Sequence, residues 1–289
     1  MARSVNEGFV EFLERLTPTQ AQRNAGASHR ASVKSALEAK LDVKNFFETG
    51  SFSHGTGVRG YSDIDVLASL GNKPASSYTA LTRVKDALSA RFSQTDVVIR
   101  RPAVVVKFAS GYETWEVIPG FITGRGSATQ MVYDIPGPDT GSAYIDSAPK
   151  EHLAYVSECN EKPSTGKAKA LARLIKAWKY YCLVPVSSFY LEMRCAQHVA
   201  TQSTYIHVWD VCQVLEKLQG HQLAAMNDPK GASGRILACS TEAMTRNALS
   251  KLETAATRAR KALDANQADK INDAYHWLDL LFGGKFPAC

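Results

Sequence analysis

At 289 residues, 45% hydrophobic and 21% charged, the chain is long enough for two packed lobes or one large domain and too evenly mixed for a disordered, low-complexity or repeat protein. Its formal charge of +6 is spread thinly, 17 basic against 15 acidic residues over 1–150 and 17 against 13 over 151–289, which suits a polyanionic nucleotide in a cleft rather than extended tracking along nucleic acid. No apolar run approaches the roughly 18 residues of a membrane span and no apolar leader opens the chain, so a cytoplasmic protein with no membrane contact is expected.

In chain order, Phe9, Val10, Phe12, Leu13 and Leu16 recur at helical spacing over 5–16, and Pro18 restarts the chain. Val33, Ala36, Leu37 and Leu41 form the stripe of a second helix, after which Asn45-Phe46-Phe47 leads into Gly50-Ser51-Phe52-Ser53-His54-Gly55-Thr56-Gly57-Val58-Arg59-Gly60-Tyr61-Ser62-Asp63-Ile64-Asp65-Val66. Small residues there let the backbone turn tightly and aim N–H groups at an anion, as phosphate-cradling loops do. Asp63-Ile64-Asp65-Val66-Leu67 reads as a buried strand, and residues two apart on a strand share a face, so both carboxylates aim one way. Two like charges so placed call for a divalent cation between them, of which Mg2+ is the natural choice. Taken separately, a glycine-rich stretch and an Asp-x-Asp pair are ordinary surface loop and chance strand.

Beyond the break at Gly71-Asn72-Lys73-Pro74, Ser76 or Ser77 caps a helix marked by Leu81, Val84, Leu88 and Phe92. Strands are expected over 96–100, 104–108 and 114–119, giving a mixed or antiparallel sheet. Asp96 and Glu116 both fall in these strands, and composition does not choose between them as a third acid; a solvated outer-face residue is the plain alternative for Glu116. Gly120 to Glu161, interrupted by Gly124, Gly126, Pro136-Gly137-Pro138 and Pro149, reads as a linker or lid with room for short helices.

The second half reads as helical throughout. Over 166–182, Leu171, Leu174, Ile175, Trp178 and Cys182 share one face, with Lys169, Arg173 and Lys176 opposite. Lys162 to Lys179 carries six basic residues and no acidic one, which favours an anion site over a solvated basic face. Further helices are expected over 187–201, 205–219, 241–265 and 269–282. Six cysteines with no C-x-x-C pair read as reduced thiols; Cys195 and His198, one helical turn apart, make half of a zinc site whose other half is not evident.

Gly50-Ser51 followed after eleven residues by Asp63-x-Asp65 resembles the nucleotidyltransferase signature of the DNA polymerase β superfamily. With Trp115-Glu116-Val117-Ile118-Pro119, the helix Leu171 to Lys179, Ser187-Ser188-Phe189-Tyr190-Leu191-Glu192 and Asn227-Asp228-Pro229 in that order, the resemblance narrows to oligoadenylate synthetases and cGAS/DncV-like nucleotidyltransferases, over about residues 30 to 235. It implies an α+β fold: a polymerase β-type lobe with a mixed sheet and N-terminal helices over 1–160, and a helical lobe over 161–289 closing a nucleotide cleft. It also implies that Asp63, Asp65 and Glu116 hold two Mg2+ ions, for which Mn2+ can substitute. The third acid is usually Asp, so Glu116 departs from the pattern by one methylene. Gly50 and Ser51 would meet phosphate, Lys176 the triphosphate, Ser188 and Phe189 the nucleotide with the Phe189 ring on its base, and Asp228 base or ribose edges. The implied reaction turns nucleoside triphosphates into a cyclic di- or trinucleotide or an oligonucleotide, a second messenger of bacterial antiphage defence, with release of pyrophosphate. Any regulatory partner or ligand is left open. Rivals are another polymerase β-type enzyme acting on RNA or a small molecule, and a nucleotide-binding module without activity.

Overall fold

A computed structural model describes residues 3–61, 63–108, 113–127, 129–138, 143–161 and 167–289, leaving aside the side chains of 21–28. Strands Val43–Thr49 (β1), Ile64–Leu70 (β2), Asp96–Arg100 (β3), Ala103–Phe108 (β4) and Glu113–Ile122 (β5) pair in the order β1-β2-β5-β4-β3. Tyr133–Pro136 (β6) and Tyr144–Ser147 (β7) extend the far end of β5, completing a seven-stranded sheet. The sheet is mixed, as expected: β2 and β5 run parallel while β1 with β2 and β4 with β5 are antiparallel. In that parallel register Asp65 stands beside Glu116, and their neighbours Ile64 and Trp115 pair on the opposite face.

That opposite face is the core of the first lobe. Val66, Val104, Val106, Trp115 and Val117 meet Val33 and Leu37 of Gln20–Glu38 (α2) and Leu81, Val84 and Leu88 of Ser77–Arg91 (α4). Ser76 does cap α4, its Oγ accepting the Tyr78 N–H at 3.2 Å. A second cluster gathers Val5–Leu16 (α1), Pro149–Asn160 (α5), Ala168–Tyr181 (α6), Ser188–Ala200 (α7), His207–Gly220 (α8), Glu242–Gln267 (α9) and Ile271–Leu281 (α10). The helix α1 starts at a Ser4/Glu7 capping box and buries Val5, Phe9, Phe12 and Leu16 in this helical core. So α1 and α5 lie before residue 160 in sequence yet pack with the helices that follow it.

The structure departs from the sequence reading in two stretches. Asn45-Phe46-Phe47, read as a lead-in, belong to the edge strand Val43–Thr49, in which only Phe46 and Thr49 are buried, a pattern too short and broken to show periodicity. The expected linker or lid over 120–161 holds the end of β5, then β6, β7 and α5. Its interrupting residues have other duties. A Cβ at Gly120 would stand 2.8 Å from Leu67 Cδ2, so this glycine admits a neighbouring side chain, and Pro149 occupies the first turn of α5, where its missing N–H costs nothing. Gly166, the expected start of the basic helix, lies outside the described residues, as does Lys162.

Candidate active site

Gly50 to His54 (α3) form one helical turn after β1, and Gly50 opens it with φ of 63°. A Cβ there would lie 1.9 Å from Asp65 Oδ2, so the residue is glycine because the carboxylate needs the space as well as because the backbone is left-handed. The Ser51 backbone N–H donates to Asp65. Asp63, Asp65 and Glu116 all line one cavity of about 450 Å³, together with Gly50, Ser51, Lys176, Ser188 and Phe189. Asp96 is on the exposed edge strand, paired to Lys107 at 2.9 Å, and does not enter it.

The three carboxylates lack sufficient positive charge. Burial pushes Asp65 up to about 8, and Glu116 and Asp63 add like-charge repulsion that Lys176 and the Ser51 N–H offset in part. Burial, then Glu116, pushes Asp63 up to about 6 against the pull of Arg100. Arg100 is that partial counter-charge: its guanidinium donates to Glu116 Oε1 at 2.8 Å and stands 3.9 Å from Asp63 Oδ2. Among the described residues no three His, Cys, Asp or Glu side chains form a ready-made metal cage. The donors nonetheless fit a hard divalent ion, being carboxylate oxygens with open cavity beside them. Among the described residues nothing completes the zinc half-site either: His198 is bound by Asp210 at 2.8 Å and Lys217 at 3.0 Å, and burial pushes the Cys195 thiol up.

The basic helix is no solvated stripe. Arg173 donates to the Gly57 and Gly55 carbonyls at 2.8 and 2.6 Å, holding the glycine loop from behind. Lys176 is 1% exposed, with Nζ 3.2 Å from Thr56 Oγ1 and 3.5 Å from Glu192 Oε2. Burial lowers the Lys176 ammonium, while Glu192 and Asp65 support its charge. Glu192 is the hub of this knot, bonded also to His54 Nδ1 and Thr56 Oγ1. Burial opposes its charge, yet Lys176, His54 and Thr56 outweigh burial and hold it at about 2. The parts played by Glu192, His54 and Thr56 went unread in the sequence because His54 and Thr56 lie 138 and 136 residues from Glu192.

Aromatic walls complete the cavity. Tyr61 and Tyr180 stack at 4.8 Å and 17°, and Phe189 meets the edge of His152 at 4.8 Å and 65°. Asp228 is not on the cavity wall: its carboxylate is fully buried, 3.0 Å from His152 Nε2 and bonded to the N–H groups of Lys230, Ala232 and Ser233 and to Ser233 Oγ. Burial opposes its charge and these donors overcome it, placing Asp228 well below the usual carboxylate range. It ties Asn227–Ala232 and Ser233 to α5, and His152 and Ser233, not Asp228, reach the cavity.

The profile of a family described as Second Messenger Oligonucleotide or Dinucleotide Synthetase domain matches residues 3–160. The chain is 24% identical to a cyclic AMP-AMP-AMP synthase of Acinetobacter sp. (strain ATCC 27244 / 9458), covering 98% of this chain and 86% of that protein. Its fold is similar to that of CdnC of E. coli MS115-1 solved with ATP, at TM-score 0.77 and 14% identity over 98% of this chain and 99% of that one. CD-NTase CdnG of Bradyrhizobium diazoefficiens in complex with GTP superposes with TM-score 0.77 at 13% identity, over 98% of this chain and 96% of that one.

Proposed function

Since the chain belongs to the Second Messenger Oligonucleotide or Dinucleotide Synthetase family of nucleotidyltransferases, we propose that Asp63, Asp65, Glu116 and Lys176 carry the joining of nucleoside triphosphates into a cyclic di- or trinucleotide. The observation that carries this reading is the in-register placement of Asp65 beside Glu116, with Asp63, Lys176 and Phe189 lining the same cavity. Asp63, Asp65 and Glu116 would hold two Mg2+ ions, with Mn2+ as substitute; bound there, the metal lowers the pKa of the attacking hydroxyl and neutralises charge on phosphate oxygens. A ribose hydroxyl then attacks the α-phosphorus: a new P–O bond forms, the α–β bridge breaks and pyrophosphate leaves. Glu116 takes the hydroxyl proton, Lys176 faces the charge of the leaving group, and Gly50, Ser51 and Ser188 hold the phosphates. Phe189 supplies the stacking surface for a base. In this reading residues 1–160 make the catalytic lobe and 161–289 the helical lobe over the cleft, with α1 and α5 bracing the helical side. A cyclic product would be a bacterial antiphage second messenger, and the relative that makes cyclic AMP-AMP-AMP supports that reading.

The test is incubation of the purified protein with four nucleoside triphosphates and Mg2+, without any acceptor, followed by phosphatase and mass spectrometry. A phosphatase-resistant product whose mass is an integral number of nucleoside monophosphates less one water for every linkage, the ring-closing one included, supports the proposal. Turnover that requires added RNA or a small-molecule acceptor returns the chain to a different polymerase β-type activity, and nucleotide binding without turnover makes it a binding module.

A further inference from the structure

His152 stands on the first turn of α5, 3% exposed, yet on the cavity wall beside Phe189. Its two ring nitrogens are in unlike positions. Nε2 lies 3.0 Å from Asp228 Oδ2, a carboxylate kept ionised by the N–H groups of Lys230, Ala232 and Ser233 and by Ser233 Oγ. An ionised carboxylate only accepts, so Nε2 is the nitrogen that carries the proton, and in the tautomer this bond selects Nδ1 is the lone-pair acceptor. That tautomer is assigned from the hydrogen-bond network. Among the described residues Nδ1 has no hydrogen-bond partner, and it is not among the polar atoms sealed from solvent without one, which are Arg101 Nη2 and Arg194 Nε. An unsatisfied acceptor therefore opens onto the cavity at the edge of the ring where a base would stack.

Building on the nucleotide reading above, we propose that His152 is a base-reading residue, its Nδ1 accepting a hydrogen bond from the exocyclic amine of an amino-bearing base. The class of substrate follows from the chemistry. Adenine and cytosine present an amine at the position where hypoxanthine, guanine and uracil present a carbonyl, and a carbonyl facing Nδ1 would set two lone pairs against each other. Asp228 acts through His152 as a positioning residue, fixing which nitrogen faces the base. The base-reading expected of Asp228 in the sequence thus passes to the side chain it orients.

Equilibrium binding of the α,β-methylene analogues of ATP and ITP, which differ in the group at position 6 and the proton at N1, tests this in the intact protein. The wild type is expected to bind the ATP analogue about tenfold more tightly, the worth of one hydrogen bond made rather than lost. His152→Ala should bring the two affinities within about twofold of each other. Should that variant melt below the assay temperature, His152→Phe fills the space without an acceptor and should erase the preference likewise. His152→Asn, which restores an amide near Nδ1, is expected to recover part of it. Equal affinities in the wild type, or an undiminished preference in a folded His152→Ala or His152→Phe, overturns the assignment while leaving the nucleotide site standing. If neither analogue binds the wild type, the nucleotide reading fails first and this one with it.

Discussion

Asp65 sits where an isolated carboxylate would not keep its charge: burial, Glu116 and Asp63 together push it up to about 8, and Asp63 is pushed up to about 6. An aspartate whose folded pKa exceeds its unfolded one stabilises the fold while protonated. Its contribution is complete below the ordinary aspartate range and fades as pH rises through about 6 for Asp63 and about 8 for Asp65. Without divalent ions the melting temperature should therefore carry a falling component between about pH 4 and about pH 8, and Asp65→Asn should remove the part above about pH 6 and lessen the part below it. The difference between the two proteins is the measurement, because Lys179, which burial lowers to about 8, titrates in the same window in both. Adding Mg2+ should raise the wild-type melting temperature more at about pH 8 than at about pH 5, since ligands must lose their protons to bind. At this scale the sequence was most informative where chemistry is contiguous. Gly50, Ser51, Asp63 and Asp65 lie within sixteen residues, and the two-residue period of a strand suffices to aim both acids. Asp228 shows the reverse: its identity was visible, but the donors that turn it away from the cavity come from a turn and from α5, 76 residues away.

Strand pairing separates the two candidate third acids. Glu116 is in register with Asp65 on the cavity side, whereas Asp96 is on the far edge strand with Lys107. Glu116→Gln is expected to abolish turnover and keep triphosphate binding, and Asp96→Asn to leave both within about twofold, as exposed surface changes do. Steady-state rates beside an equilibrium binding assay separate the two. Composition left this choice open; the Val117-Ile118-Pro119 context that resembles the family favoured Glu116, as did its apolar strand neighbours Trp115 and Val117 and the place of Asp96 at the opening of its strand. The elements hardest to read were those whose breaking residues serve packing or helix entry, Gly120 against Leu67 and Pro149 at the start of α5. Long amphipathic helices such as α6 were legible because a sustained 3.6-residue period needs no partner to be seen.

On the scale of the whole molecule, Glu192 joins α7 to α6 through Lys176 and to the loop after β1 through His54 and Thr56, so one carboxylate fastens the helical cluster to the sheet. Removing it strands a buried ammonium and two polar groups. Glu192→Ala should cost about 3–5 kcal/mol in urea unfolding, and Glu192→Gln, which keeps the shape, should still lose most of that through the unpaired Lys176. Arg100 works at the opposite rim, from an edge strand, where its guanidinium occupies Glu116 and approaches Asp63. A divalent ion entering there takes part in an exchange of one cation for another, and its apparent affinity is the intrinsic affinity multiplied by the fraction of molecules in which the arginine has swung away. Arg100→Gln should consequently tighten Mn2+ binding, read by calorimetry without substrate, by about twofold to fivefold, the reach of an exposed ion pair. Moderate salt should narrow that gap, because screening loosens the arginine in the wild type and has no such contact to loosen in the variant. At the proposed metal site the arginine would thus be a tethered competitor for the ion, and metal supply and ionic strength would be inputs to how many molecules are ready to bind it.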